Sequence, residues 1–231
     1  SKELESEVLK HFPKPKVATI YRGVDLEEFG FVPKDVANQE LKFLYLGGLS
    51  ARKGNPFGMN LKGGITLLKA WKSFIDQNAG TGYTYSLQFG GPDVTQEKVE
   101  NILGDSIAKY NIQLPGYLDK FSISKHMADA TVVVVPSMAE GLPNVAMEAA
   151  ATGCIVVGTK VGGIPEVVED RETGYLFDAG DENSLTQVFN EISRNLDKLP
   201  QMTAKSRKRM ESLFDSKSFA ENYLKAYNTN G

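Results

Sequence analysis

The stretch that most constrains the fold is residues 131–157, where two apolar runs flank a loop and a helix-forming segment. Residues 131–135 and 155–157 are apolar almost throughout, which is typical of strands buried on both faces of a parallel sheet. Between them, Glu140 lies in the predicted loop and Glu148 in the predicted helix. Strand, loop, helix and strand in so short a segment predict one crossover unit of a parallel sheet.

The junction of this loop and helix predicts an anion site. Open α/β sheets bind phosphates where a helix begins just after the carboxyl end of a strand. The free N–H groups of Leu142, Asn144 and Val145 would point at the anion, and Pro143 suits the first helical position. Two carboxylates beside such a site indicate a ligand that also carries hydroxyls, such as a sugar or a ribose.

Strand and helix patterns alternate along the rest of the chain. We predict strands at residues 17–20, 41–46, 83–89, 112–114 and 174–177, and helices at residues 1–12, from 64 onward, and at 95–110, 121–128, 165–168, 183–196, 201–213 and 216–228. This alternation predicts an α/β fold, a doubly wound parallel sheet of Rossmann-like type with helices on both faces and extra C-terminal helices. The helix after residue 64 is expected to bury Ile65, Leu68 and Trp71.

This pattern divides the chain into three parts. Residues 1–35 form an N-terminal arm, residues 36–196 the sheet domain, and residues 197–231 C-terminal helices that pack on the domain or toward a further domain. Within the domain, the loops at 47–64, 90–95, 136–145 and 160–165 follow strands. They should therefore converge at one edge of the sheet, where this architecture binds ligands.

Charged residues in these loops are the candidate ligand contacts. The first loop begins at Gly47 and Gly48 and contains Arg52, Lys53 and Lys62. Lys62 lies at a helix start, where a cation is unfavourable unless an anion compensates; the alternative is a solvated lysine. Glu148 lies in an alanine-rich helix and needs a partner, for which a backbone N–H is the structural alternative to a ligand hydroxyl.

Composition narrows the function classes. The net charge of −3 provides no general attraction to nucleic acid, and the single Cys154 permits no internal disulfide, as in a reducing, cytoplasmic protein. No apolar stretch reaches membrane-spanning length, and no cluster has metal-ligand spacing, so we expect no metal. A basic helical face is predicted to be solvated or, alternatively, to contact a membrane peripherally; it comprises Lys205, Arg207, Lys208 and Arg209.

An ordered set of motifs resembles the C-terminal, donor-binding half of GT-B-fold retaining glycosyltransferases of group 1, similar to family 4. The matching segments are residues 20–25, 45–49, 62–70, 90–91, 114–118, 135–137, 140–153 and 161–166. The most specific is a pair of glutamates separated by seven residues, Glu140 and Glu148. Together the segments span most of residues 15–195.

The resemblance implies a nucleotide-diphosphate sugar as donor substrate, with no cofactor and no metal. It implies that Lys62 contacts the diphosphate, that Glu140 contacts hydroxyls of the transferred sugar and that Glu148 accepts the ribose hydroxyls. Catalysis would come from Lys62 and the helix N-terminus stabilising the leaving diphosphate. The implied donor-binding set also includes Gly47, Gly48, Arg52, Lys53, Leu118, Lys120, Gly141, Leu142, Pro143, Asn144 and Val145.

Two departures from the family pattern qualify this assignment. The family has an arginine where this chain has Gly48, so either Arg52 or Lys53 supplies the second cation or the diphosphate is held less tightly. Lys53 is an alternative to Lys62 as the family lysine, and the helical spacing that follows favours Lys62. The family also has an N-terminal acceptor domain, whereas this chain opens at Ser1 near the interdomain linker. We therefore expect it to bind donor but to need an N-terminal domain or partner chain for a glycan or lipid-linked acceptor.

Two other functions remain open from the sequence. One is a non-catalytic module that binds a nucleotide sugar and acts through a partner chain. The other is an epimerase of GT-B type, which would need carboxylate acid and base groups in the cleft. No complete glycine fingerprint for dinucleotides follows a predicted strand, which argues against a nicotinamide enzyme.

Overall fold

Six parallel strands form the central sheet of the structure, a computed structural model that describes residues 1–11, 19–34, 40–49 and 60–228. In chain order the strands are β1 (Glu40–Leu46), β2 (Thr84–Gly90), β3 (Ile112–Gln113), β4 (Val132–Val135), β5 (Ile155–Thr159) and β6 (Gly174–Phe177). Their spatial order is β3-β2-β1-β4-β5-β6, and each neighbouring pair is parallel. The predicted doubly wound parallel sheet is confirmed.

Helices cover both faces of this sheet, also as predicted. The helices in the described part of the chain are α1 (Lys2–His11), α2 (Gly64–Gln77), α3 (Gln96–Leu103), α4 (Lys120–Asp129), α5 (Asn144–Thr152), α6 (Ile164–Val167), α7 (Glu182–Arg194), α8 (Leu199–Leu213) and α9 (Ser216–Asn228). Buried residues of α2, α3 and α7 pack on one face of the sheet. Buried residues of α4, α5 and α6 pack on the other face together with Met210 of α8, whereas Leu199 and Met202 of α8 join the first cluster, so parallel strands are shielded on both sides.

An aromatic cluster fills the core on the α2 and α7 side. The ring of Phe43 lies edge-on to Trp71 and Phe189, at centroid distances of 5.0 and 5.1 Å. The indole N–H of Trp71 donates to the carbonyl of Tyr110 at 2.8 Å, so the one polar group of this side chain is satisfied inside the core. These contacts fix α2, and therefore the loop that precedes it, against β1.

Small residues form the core on the opposite face. The α5 side chains Ala146, Ala149, Ala150 and Ala151 are fully buried, which brings the helix close to the sheet. Met210 of α8 and the following Phe214 complete this core. The third part of the chain thus packs on the sheet through α8, whereas α9 buries no residue.

The N-terminal arm crosses this second face and contacts the end of α8. Val24 donates its N–H to the carbonyl of Phe214 at 2.7 Å, and its carbonyl accepts from the N–H of Ser216 at 3.1 Å. The arm was predicted to contain a strand at 17–20; Thr19 and Ile20 are not in a strand, and residues 17–18 lie outside the described residues. The arm is held instead by an isolated bridge between Val24 and Asp215.

The strand order reverses between β1 and β4, and this positions the site. The chain moves from β1 outward to β2 and β3, then returns to β4 and continues to β5 and β6. The connections after β1 and β4 therefore leave the sheet on opposite sides and open a crevice at its carboxyl edge. Lys62 follows β1 and Glu140 follows β4, so both lie at this crevice.

Two details of the helices differ from the prediction. The helix expected to extend to residue 110 ends at Leu103, because Gly104 adopts a left-handed φ of 68° and donates its N–H back to Glu100. Its predicted start is confirmed, since the Thr95 side chain caps it by accepting from the N–H of Lys98. In α2, Ile65 is 40% exposed rather than buried.

The predicted basic face of α8 is largely occupied by interactions within the chain. Lys205 pairs with Glu172 at 2.5 Å, Arg209 pairs with Glu169, and Arg207 donates to the carbonyls of Phe29 and Ala151. The membrane contact proposed for this face stays a prediction. None of the helices in the described part of the chain is long and apolar enough to cross a bilayer.

A pair of substitutions in α2 tests which side of the helix faces the core. Leu68→Ala removes a fully buried side chain and should lower the free energy of unfolding by about 2 to 5 kcal/mol. Ile65→Ala, three residues earlier but exposed, should cost less than about 1 kcal/mol. Chemical denaturation monitored by circular dichroism measures both; equal losses would contradict the orientation described here.

Candidate functional site

A cleft of about 530 Å³ opens at the carboxyl edge of the sheet, between the ends of β1 and β4. Its walls combine strand ends, the loop after β4 and the start of α5. The lining residues are Arg22, Tyr45, Leu46, Lys62, Val134, Val135, Pro136, Ser137, Glu140, Leu142, Pro143, Asn144 and Val145. Lys62, Glu140 and the residues from 142 to 145 were predicted from sequence to share a site, and they do lie together here.

Lys62 and Glu140 form an ion pair in this cleft. The Lys62 Nζ lies 2.5 Å from Glu140 Oε1, and the same carboxylate oxygen accepts the Ser137 hydroxyl at 2.9 Å. The Glu140 side chain is only 14% exposed, whereas that of Lys62 is 55% exposed. Glu140 is therefore held in place by two donors, while the ammonium of Lys62 remains accessible to a ligand entering the cleft.

Close backbone packing brings the two loops together. Gly63, the N-cap of α2, has φ of 71°, and a Cβ at this position would lie 1.7 Å from the carbonyl oxygen of Pro136. The N–H of Met138 donates to the carbonyl of Leu61 at 2.8 Å. Only glycine tolerates both the backbone angle and the contact at position 63, so this residue sets the position of Lys62 beside Glu140.

The N-terminus of α5 faces the same cleft without a cap. Pro143 is its N-cap and supplies no side-chain hydrogen bond. In the part of the chain that the structure describes, the N–H groups of Leu142, Asn144 and Val145 donate to no protein acceptor. Pro143 was predicted as the first helical residue; its ψ of 120° is extended, so α5 begins one residue later, at Asn144. The uncapped N–H groups and the helix dipole favour an anion here.

A second cleft of about 370 Å³ adjoins the first and contains Glu148. The two clefts share Arg22 and Asn144, and the second is also lined by Glu28 and Lys120. Lys120 Nζ pairs with Glu28 at 2.9 Å. The predicted residues Lys120 and Glu148 therefore lie in one cavity, next to the cavity that contains Lys62.

The Glu148 carboxylate accepts no hydrogen bond from the described residues. The structural alternative, a bond from a neighbouring backbone N–H, is therefore not observed. Burial raises the pKa of Glu148 and the negative charge of Glu28 raises it further, while Lys120 and Arg22 act in the opposite direction. A half-buried carboxylate with unused acceptor capacity at the wall of a cleft is suited to bind ligand hydroxyls.

The glycines that end β1 serve packing. The carbonyl of Gly48 accepts from the Tyr45 hydroxyl at 3.1 Å and from Asn60 Nδ2 at 2.9 Å. A Cβ at position 48 would lie 2.4 Å from Asp93 Oδ1, and one at Gly47 would lie 2.5 Å from the Tyr45 hydroxyl. At position 48, where the resemblance led us to look for an arginine, a larger residue would have to displace the Asp93 side chain, which accepts from the N–H of Leu49 at 3.1 Å.

Other predicted contacts lie apart from the two clefts or outside the described residues. Leu118, Gly47, Gly48 and Gly141 line neither cleft. The carbonyl of Gly141 accepts from the N–H of Gly163 at 2.5 Å, which ties the loop after β4 to the loop after β5. Arg52 and Lys53 belong to residues 50–59, outside the described residues.

The residues of the site that sequence reasoning missed include Arg22, Asp25, Glu28 and Ser137. Arg22 and Glu28 reach it from the arm, which was recognised as similar to a family segment but not assigned to the site. Ser137 lies three residues before Glu140, and a serine preceding a carboxylate in a strand-end loop was the available signal. Among the described residues, no group of three or more His, Cys, Asp or Glu side chains could hold a metal ion.

Comparison with known proteins relates this chain to glycosyltransferases. The sequence profile of the family described as glycosyl transferases group 1 matches residues 42–195. The putative colanic acid biosynthesis glycosyltransferase WcaL of Escherichia coli K12 is 25% identical over 210 residues, covering 88% of this chain and 48% of WcaL. The chain thus spans about half the length of the curated relatives that it matches.

Solved structures show the same fold. Sucrose-phosphate synthase from Thermosynechococcus elongatus superposes with a TM-score of 0.75 at 23% identity, covering 98% of this chain and 56% of that protein. HepE from Anabaena, solved in complex with UDP, gives a TM-score of 0.73 at 18% identity, with 92% and 57% covered. At these identities the likeness establishes the fold.

Replacing the carboxylate of Glu148 should change how stability depends on pH. Because burial raises its pKa in the folded state, the ionised form destabilises the fold above the pKa of an unfolded glutamate. Glu148→Gln should therefore raise the melting temperature at about pH 7, and this gain should vanish below about pH 4, where the wild-type carboxyl is protonated in both states.

Thermal melts across this pH range measure the effect. The matched control is Glu221→Gln, at an exposed position of α9. If Glu148→Gln raised the melting temperature by the same amount at about pH 7 and below about pH 4, ionisation of Glu148 would not be the cause.

Proposed function

Because the chain belongs to the glycosyl transferases group 1 family, we propose that it is the nucleotide-sugar-binding half of a retaining glycosyltransferase that transfers a hexosyl unit. The observation that carries the proposal is the Lys62–Glu140 ion pair beside the uncapped N-terminus of α5. A cation and free N–H groups suit a diphosphate, and a carboxylate in the same cleft suits sugar hydroxyls.

The diphosphate binds between Lys62 and the start of α5 in this proposal. The accessible ammonium of Lys62 turns toward the phosphate oxygens, and the N–H groups of Leu142, Asn144 and Val145 donate to them. An oxygen of Glu140 is then free to accept a hydroxyl of the transferred sugar, while Ser137 continues to hold the carboxylate. Ligand binding thus replaces the ion pair between Lys62 and Glu140 with two contacts, one from Lys62 to the phosphate and one from Glu140 to the sugar.

Transfer depends on stabilising the leaving diphosphate. Lys62 and the positive end of the α5 dipole lie where negative charge develops as the bond between sugar and phosphate breaks. The proposal requires no enzymic nucleophile, no cofactor and no metal, and the retaining outcome is taken from the family resemblance.

The nucleoside occupies the second cleft. Glu148 accepts the ribose hydroxyls, and the base lies near residues 115–120, which include Leu118 and Lys120. The two clefts adjoin at Asn144, so a single donor can span both. The complex of HepE with UDP, a protein of the same fold, supports a nucleoside diphosphate as the ligand.

The acceptor is proposed to be a glycan or a lipid-linked sugar. Relatives named for colanic acid and amylovoran biosynthesis support a role in polysaccharide assembly. Because the chain spans about half of those relatives, we propose that an N-terminal domain or partner chain supplies the acceptor site. Cytoplasmic location and peripheral contact with a membrane belong to the same proposal.

Nucleoside diphosphate binding tests the assignment of Glu148. In calorimetry with uridine, guanosine and adenosine diphosphates, the wild-type chain should bind at least one of them. Glu148→Ala should weaken the binding of that nucleotide by about tenfold, because hydrogen bonds to a charged acceptor are lost. Inorganic pyrophosphate, which lacks the ribose, should bind the variant and the wild type equally.

Two outcomes would count against these roles. No binding of any of the three nucleotides at millimolar concentration would contradict the proposed function. Equal losses for nucleotide and pyrophosphate would contradict the ribose contact of Glu148 alone.

Removing the ammonium of Lys62 tests the diphosphate site. Lys62→Ala leaves the Glu140 carboxylate unpaired beside the anion, so pyrophosphate and nucleoside diphosphate should both bind on the order of ten- to a hundredfold more weakly. Lys69→Ala removes an equal charge from the outer side of α2, where Lys69 pairs with Glu182 at 3.5 Å, and should change binding less than about twofold. Comparable effects of the two substitutions, measured by calorimetry, would show that Lys62 acts only through net charge.

A further inference from the structure

Arg22 lies at the junction of the two clefts, where its charge acts on the nearby Glu148 carboxylate without forming an ion pair with it among the described residues. It lines both cavities, together with Asn144. Its side chain is exposed, and among the described residues it donates no hydrogen bond and forms no ion pair. The other basic side chain of the second cleft, Lys120, is paired with Glu28. Arg22 is therefore a basic residue at the wall of both cavities whose guanidinium has unused hydrogen-bond donors among the described residues.

The backbone that carries Arg22 is firmly anchored on both sides. The Tyr21 ring packs on Phe214 at a centroid distance of 4.9 Å. A Cβ at Gly23 would lie 2.3 Å from Ser216 Cα, and Val24 exchanges backbone hydrogen bonds with Phe214 and Ser216. The arm thus presents the side chain of residue 22 from a fixed position, which reduces the entropy lost when the guanidinium binds a ligand.

The positive charge of Lys62 alone does not compensate a diphosphate bound in the first cleft, so a second cation is required there. Lys62 and Arg22 are the basic side chains among the described residues that line it, and Lys62 is neutralised by Glu140. Gly48, after β1, supplies no cation, and a side chain there would have to displace the Asp93 carboxylate, whose Oδ1 would lie 2.4 Å from its Cβ. A diphosphate carries more than one negative charge, so one ammonium shared with a carboxylate compensates only part of it.

We propose that Arg22 binds the phosphate groups of the nucleotide donor, opposite Lys62 and next to the N-terminus of α5. The inference rests on the proposed function, because it names the part of the donor that Arg22 contacts. The planar guanidinium can donate two parallel N–H bonds to phosphate oxygens, which a lysine cannot do. Its place between the clefts matches the place of the phosphates between sugar and nucleoside.

Calorimetry on the 231-residue chain tests this role. The titrants are the nucleoside diphosphate that the wild type binds, the corresponding nucleoside without phosphate, and inorganic pyrophosphate. Arg22→Ala should weaken the binding of the nucleoside diphosphate and of pyrophosphate by about tenfold and leave the affinity for the nucleoside unchanged. Arg22→Lys should recover part of the loss, since it restores the charge but not the paired donors.

The matched control is Arg194→Ala at the exposed end of α7, which removes the same charge and lines neither cleft. It should change each affinity by less than about twofold. Thermal melts of the three variants should lie close to that of the wild type, because both arginines are exposed and neither forms a hydrogen bond or an ion pair with the described residues.

The outcomes separate the inference from the function on which it rests. A wild-type chain that binds the diphosphate, with Arg22→Ala binding it equally well, would overturn the inference and leave the proposed function intact. An equal loss for the nucleoside would also overturn it, because Arg22 would then contact the base or ribose. A wild-type chain that binds none of the nucleotides would overturn the proposed function itself.

Discussion

The site depends on one close approach of backbone, between Gly63 at the start of α2 and Pro136 at the end of β4. Because the strand order reverses between β1 and β4, their connections leave the sheet on opposite sides and would otherwise diverge. The contact, with the nearby bond from Met138 to Leu61, draws the connections together at the crevice. Lys62 consequently reaches Glu140, although the two residues belong to separate crossover units.

Several polar groups of the two clefts form no hydrogen bond with the residues that the structure describes. The Glu148 carboxylate accepts no bond, the Arg22 guanidinium donates none, and α5 begins without a side-chain cap. For the half-buried Glu148 and the N-terminus of α5 this costs stability, because hydrogen bonding within the chain would compensate burial or the helix dipole, whereas the exposed Arg22 is solvated by water. Groups left in this state at the wall of a cleft are a sign of ligand binding, since the ligand supplies the missing partner. The rigid surroundings, above all the alanine-rich packing of α5, keep these groups in position.

Most of the fold could be predicted because its signals are local. Continuous apolar runs identified the buried strands, and Thr95 marked the start of α3. The errors of the prediction arose where the spacing of apolar residues did not decide the structure. Gly104 ends α3 although apolar residues continue beyond it. Ile65 fits the apolar spacing of α2, but the core lies on the side of Leu68 and Trp71.

By itself, the sequence determined the alternation of strands and helices. It also placed the ammonium of Lys62 after β1 and the carboxylates of Glu140 and Glu148 after β4. Periodicity within a few residues carries that information. Only the tertiary structure decided that Lys62 pairs with Glu140, and that Arg22 joins the two clefts. Arg22 reaches its place because Val24 bonds to residues near the other end of the chain. Contacts between such distant segments depend on how whole elements pack, for which no local pattern carries a signal.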